Sequence, residues 1–155
     1  MNSMQTITPE KNTVVSGLAF SFDNKEIFIG TQKKRVLRYN LKTGKLSKIN
    51  GHIGAVVKIS TSKNGKYFAT ASNDLSVKLW NTKDSKPILT IPTSKTPGCL
   101  FFTEDSEFIG ICDSGQIKFF PVRSPDMKIT PLELLGKMEK ESGMKLKDFY
   151  LEAGQ

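Results

Sequence analysis

Histidine and cysteine are almost missing from this chain: His52 stands alone, and Cys99 and Cys112 are the only thiols in 155 residues. Two cysteines and one histidine fall short of the four ligands of a structural zinc site and far short of a disulfide framework, so no metal is expected. There is no Gly-x-Gly or Gly-Lys-Ser/Thr run to cradle a phosphate, and no cofactor is expected. No apolar run approaches the roughly 20 residues that span a bilayer, so no membrane contact is expected. Met1 to Asn12 lacks the basic start and apolar core of a secretory signal. These absences point to a soluble chain of the cytoplasm or nucleus, and its length fits one domain, or one domain with a tail.

What the chain has is charge and phenylalanine. It carries 23 Lys and Arg against 15 Asp and Glu, a net +8, and ten Phe, which set it apart from a disordered chain. The charge is uneven. Residues 1–93 hold 15 basic and 5 acidic groups, and residues 94–155 hold 8 and 10. A basic half suits nucleic acid or an acidic protein surface, and it equally suits a lysine-rich solvated face.

Sliding the sequence against itself is more informative. At an offset of 41, Leu18 meets Ile59, Ser21 meets Ser62, Ile27 meets Phe68, Val36 meets Val77, Tyr39 meets Trp80 and Asn40 meets Asn81. A second shift of 41 lays Ile59 on Leu100 and Tyr67 on Phe108. The offset then drops to 40, bringing Val77 and Trp80 onto Ile117 and Phe120. The missing residue falls between Asp113 and Ile117, in a loop. Within each unit, runs of five or six β-branched and aromatic residues such as Tyr67–Ala71 and Ser76–Trp80 read as strands. Turn formers separate them: Asp23-Asn24, Asn64-Gly65, Asp84-Ser85, Asp105-Ser106 and Ser114-Gly115. Each unit is about four short antiparallel strands, and so small a sheet must stack on its neighbours. The apolar stretch Phe20, Phe22, Ile27, Phe28, Ile29 suits a sheet covered on both sides.

The second unit reads Gly51-His52, Asn64-Gly65-Lys66, Ala69-Thr70-Ala71-Ser72-Asn73-Asp74 and Val77-Lys78-Leu79-Trp80-Asn81. This resembles a WD40 repeat, in which a Gly-His pair precedes a Ser-x-Asp and a terminal Trp-Asp. Asn81 replaces the final Asp. The resemblance implies an all-β fold, a partial β-propeller of about three four-stranded blades (about 14–52, 53–93 and 94–122) after an N-terminal arm, 1–13. It also implies a hydrogen-bonded chain inside blade two made by His52, Ser72, Asp74 and Trp80, since a buried Asp needs partners. Blade one has Lys33 at the Asp position and Tyr39 for Trp. Blade three has Gly115 near the Asp position and Phe120 for Trp, so only blade two is expected to carry the chain.

Propellers close with typically four to eight blades, and three units leave open faces and strand edges. The sequence fits a part of a longer propeller, a ring completed by another copy or a partner chain, or an open arc capped by its flanks. The C-terminal extension, 123–155, bears on the last. Thr130-Pro131-Leu132-Glu133 is a helix-start pattern and Glu141-Ser142-Gly143 a stop, which predicts a helix over about 131–142. Leu132, Leu135 and Met138 share one face of it, either packed on the domain or docked in the groove of another protein.

As a general base, His52 would pair with Asp74. The blade hydrogen-bond chain accounts for the same pair and for Trp80, and Ser72 has no Gly-x-Ser-x-Gly context, so no catalytic residue is expected and the chain reads as non-enzymatic. Cys99 and Cys112 lie symmetrically about the Asp105-Ser106 turn, facing each other across a hairpin, and in a reducing compartment they are expected as two buried thiols rather than a disulfide. Lys33-Lys34-Arg35 lies in the turn before the third strand of blade one, and family geometry puts this turn on the rim that holds Gly51-His52. With Gln32 and Asn73 it forms a candidate partner-binding rim for an acidic or phosphorylated polypeptide or an RNA backbone. The functional expectation is a protein-interaction scaffold. The alternative is a basic subunit of an RNA-containing assembly of the ribosome-biogenesis or splicing type.

Overall fold

The structure, a computed structural model, describes residues 6–122. The helix expected over 131–142, with Leu132, Leu135 and Met138, lies outside the described residues. The 41-residue period appears directly in the backbone. The first sheet is β1 (Val15–Phe20), β2 (Glu26–Thr31), β3 (Arg35–Asn40) and β4 (Leu46–Asn50). The second is β5 (Val56–Thr61), β6 (Tyr67–Ser72), β7 (Ser76–Asn81) and β8 (Pro87–Pro92). The third is β9 (Cys99–Phe102), β10 (Phe108–Asp113) and β11 (Gln116–Pro121). All neighbours pair antiparallel in sequence order. Among the described residues the third sheet has three strands where four were expected.

Turn chemistry explains why the units repeat so closely. In the first turn of each, a side-chain oxygen of Asp23, Asn64 or Asp105 accepts hydrogen bonds from the hydroxyl two residues before it (Ser21, Ser62, Thr103) and from the backbone N–H two residues after it. That hydroxyl oxygen in turn accepts from the N–H of Glu26, Tyr67 or Phe108. Such closed loops favour the turn over any extended alternative. The next residue is left-handed in all three: Asn24 at φ 55°, Gly65 at 71° and Ser106 at 63°.

The sheets stack in parallel orientation. Ser16 donates its hydroxyl to the Val56 carbonyl at one end of β5, and Thr61 Oγ1 donates to the Phe20 carbonyl at 2.8 Å at the other. Between sheets one and two lie Phe28, Val36 and Ile49 against Val56, Phe68 and Trp80. Phe68 stacks between Phe28 (centroids 4.4 Å) and Trp80 (5.8 Å). Between sheets two and three, Ala69, Ala71, Val77 and Leu79 meet Ile109, Ile111 and Val122. Alternation along β6 supplies both interfaces, with Phe68 and Thr70 on one face and Ala69 and Ala71 on the other.

Two sequence expectations need correction. Ile27, Phe28 and Ile29 are buried, but Phe20 is 48% and Phe22 63% exposed, so the apolar stretch is not covered along its whole length. The cysteines are joined as a disulfide and not two thiols. They sit directly opposite in the β9–β10 ladder, with Cα atoms 4.9 Å apart, within bonding reach; the expectation weighed compartment and not register.

Candidate functional site

The second blade buries a directed relay of hydrogen bonds on its face toward the first. Trp80 Nε1 donates to Thr70 Oγ1 at 2.8 Å, and Thr70 Oγ1 lies 2.7 Å from His52 Nε2. His52 Nδ1 is 2.8 Å from Asp74 Oδ2. Thr70 already accepts from Trp80, so its own proton points to Nε2, which leaves Nδ1 to carry the imidazole proton and donate it to Asp74. That arrangement needs a neutral ring. Burial pushes the His52 pKa below its ordinary value, and the Asp74 bond only partly opposes this. For Asp74, burial alone would raise the carboxyl. Ser76 Oγ, the Ile53 N–H and His52 outweigh it and hold the pKa well below the carboxylate range.

The hydroxyl of this relay is Thr70 and not Ser72. Ser72 accepts the Asp74 N–H at 3.1 Å and so braces the turn. The register gives the reason. Trp80 pairs with Phe68, so its ring reaches the diagonal neighbour Thr70, two residues along the same face, while Ser72 lies two further on. Gly51 is required beside His52: a Cβ there would sit 2.6 Å from the Trp80 ring.

The Asp74 position does more than complete the relay. By accepting the Ile53 N–H it ties down the loop that leads into β5. Each of the other sheets has a counterpart. Asp113, at the end of β10, accepts the N–H groups of Ser94 and Lys95 in the loop before β9 and pairs with Lys118 at 2.8 Å. The Lys118 bond holds its pKa at about 2, together with the two N–H groups and against burial. In sheet one Lys33 donates its ammonium to the Lys11 carbonyl at 3.1 Å, in the segment before β1. The same task is done by an acceptor twice and by a donor once. Asp113 escaped the sequence reading; its signal was a carboxylate ending an otherwise apolar strand.

This geometry settles where the residues of the expected rim lie. Lys33 is engaged with Lys11, and Arg35 pairs with Glu10 at 3.5 Å, a carboxylate that Lys48 also holds at 2.8 Å. Ile7 of the same arm packs on the cluster of Ile27, Ile29 and Leu37, on the face of sheet one turned away from sheet two. Lys34, Gln32 and Asn73 present exposed side chains. Strand direction puts the β2–β3 and β6–β7 turns and the His52 loop at one end of the stack, and the β1–β2, β3–β4, β5–β6 and β7–β8 turns at the other. No group of three or more His, Cys, Asp or Glu among the described residues could hold a metal, and no helix there is long and apolar enough to cross a membrane.

Residues 44–81 match the family model described as "WD domain, G-beta repeat". The chain is 31% identical over 88 residues to target of rapamycin complex subunit LST8-1 of Arabidopsis thaliana, covering 52% of this chain and 29% of that protein. It is 29% identical over 121 residues to pre-mRNA-processing factor 19 homolog 2 of the same plant (77% and 22%). With WD repeat-containing protein SL1-17 of Schistosoma mansoni it shares 28% over 94 residues (57% and 31%). The chain thus spans less than a third of the length of these relatives. In fold it resembles the solved structures of U3-55K and of the RRP9 WD40 repeats, each with a TM-score of 0.69 at 16% identity, covering 73% of this chain and 37% of the other.

Proposed function

This chain carries a WD40 repeat within a stack of propeller blades, and from that premise we propose that it is a non-enzymatic interaction platform of the cytoplasm or nucleus that binds other polypeptides through its rim loops. The observation that supports this reading is the closure of the His52 relay upon itself. The chain's single imidazole has both nitrogens committed, to Thr70 and Asp74, and Asp74 is committed to His52, Ser76 and Ile53. These groups hold the blade, and what the stack offers outward is its turns. One relative is named as a subunit of a complex, in keeping with such a role.

Gln32, Lys34 and Asn73 are the rim residues we assign to partner contact, for an acidic or phosphorylated polypeptide. Co-purification with the tagged chain tests this. Wild type is expected to retain polypeptides in near-stoichiometric amounts, and a Gln32→Ala, Lys34→Glu, Asn73→Ala variant with an unchanged melting curve to lose them. A wild-type chain that retains none overturns the platform reading.

A second reading is a basic subunit of an RNA-containing assembly. It rests on the match to a pre-mRNA-processing factor homolog and on the surplus of ten positive charges in residues 1–93. RNA affinity measured against salt decides it: a slope near zero dismisses it.

A further inference from the structure

Half of the surplus charge of residues 1–93 lies at the end of the stack opposite His52. The turns and strand ends there, residues 21–26, 38–45, 62–67 and 81–86, hold eight basic and three acidic groups. All three acids are already paired: Asp23 with Lys25, Asp84 with Lys86, and Glu26 with Arg38 at 2.6 Å. Arg38 is also consumed, since it donates to the Thr82 carbonyl at 2.8 Å. Lys63 pairs with Glu104. Among the described residues this leaves Lys42, Lys45, Lys66 and Lys83 without an acidic partner.

Two of these four line a groove. Between sheets one and two at this end lies a cleft of about 520 Å³ whose walls include Phe22, Arg38, Lys66, Tyr67 and Lys83. That volume is in the range of ligand-binding clefts. Phe22 is 63% exposed and lies beside Gly65 in the next blade's turn. Its ring is open to an incoming apolar side chain at the edge of the cleft.

We propose that this inter-blade groove binds an acidic polypeptide segment, with Asp or Glu side chains on Lys66 and Lys83 and an apolar side chain against Phe22. The inference rests on the polypeptide-platform reading and adds to it a second surface and its chemistry. Carboxylates suit the site better than a nucleic-acid strand does, because Asp23 and Glu26 also line the groove. A strand carries a phosphate on every nucleotide and has no way to avoid them, whereas a peptide places charge only where cations stand. Lys42 and Lys45, on the β3–β4 turn at this end of the stack, steer the approach.

Zero-length carbodiimide coupling tests this, since it joins a bound carboxylate to the nearest lysine amine. The probe is a fluorescein-labelled peptide of four Glu and two Leu, with an oligouridylate of equal charge alongside. The expected result is coupling concentrated on Lys66 and Lys83. Affinity should fall about tenfold in Lys66→Glu/Lys83→Glu and about threefold in Phe22→Ala, and weaken with salt. Coupling spread over all exposed lysines, affinity unmoved by the Lys66 and Lys83 changes, or tighter binding of the oligouridylate overturns the proposal. Co-purified partners retained by wild type and by the groove variant alike would sink the groove while sparing the platform. A wild type that retains no partner sinks the platform itself.

Discussion

Sheets one and two come from the same repeat, share turn geometry and strand register, and differ on the face that looks back along the stack. Sheet two places Thr70, Trp80 and Asp74 there, under sheet one, with His52 bridging them. Sheet one places Ile29, Tyr39 and Lys33 at the matching positions, under the segment carrying Ile7 and Glu10. Yet in both the residue near the second turn pins the segment entering the sheet: Asp74 by accepting an N–H, Lys33 by donating to a carbonyl. Pinning is what the fold needs at that point. The polar relay is one way to achieve it, and an aliphatic face with a salt-bridged arm is another.

The largest test of the contrast is Trp80→Ala. The ring is 1% exposed, stacks on Phe68 and anchors the relay, so its loss should cost about 3–5 kcal/mol. Tyr39, its half-buried counterpart, should cost clearly less on truncation. Equal losses by chemical denaturation would mean that the two faces are energetically alike.

Within the relay, His52→Ala should cost about 1–3 kcal/mol by leaving Asp74 and Thr70 short of a partner, and Thr70→Val about the same by stranding the indole N–H and the imidazole. Ser72→Ala should cost about 1 kcal/mol or less, because only the part-buried Asp74 N–H loses its acceptor. A Ser72 loss exceeding that of Thr70 would return the relay to the residue the sequence suggested.

Acidity separates the anchors of blades two and three. His52 is held below 6.5 in the fold, so the unfolded chain takes up the proton first; its contribution is present above about pH 6.5 and is lost as pH falls below that value. Asp113, at about 2 in the fold against roughly 3.9 unfolded, contributes above about pH 4 and ceases to as pH approaches 2. Melting temperature against pH should therefore fall in two limbs. His52→Ala is expected to flatten the upper one, and Lys118→Met to shorten the lower one by letting the Asp113 pKa rise toward its unfolded value. A profile identical in both variants and wild type would detach these groups from stability.

The sequence disclosed the period, the strands and the turns, because each is local. Asp23, Asn64 and Asp105 recur at 41-residue spacing, and alternating Phe68, Thr70 and Ala69, Ala71 mark two faces. What it did not disclose depends on register between strands. The choice of Thr70 over Ser72, the bonding of Cys99 to Cys112 and the capture of Ser94 and Lys95 by Asp113 are all set by which residues stand opposite. The commitment of Arg35 to Glu10 needed more still, since Glu10 precedes the repeat and has no counterpart in it.

The smallest effect probes the turn the two blades share. Leu75 and Lys34 are both left-handed, at φ 61° and 65°, and lie 41 residues apart. A non-glycine residue there carries a strain of about 1–2 kcal/mol, and glycine removes it while adding freedom to the unfolded chain. The Leu75 side chain is 46% exposed, so little burial is forfeited. Leu75→Gly should therefore gain about 0.5–1 kcal/mol, and Lys34→Gly a similar amount, read as a rise in denaturation midpoint at constant slope. A gain at 75 with a loss at 34 would show that the equivalence of the two turns ends at the backbone, and that the Lys34 side chain holds something in sheet one that Leu75 does not in sheet two.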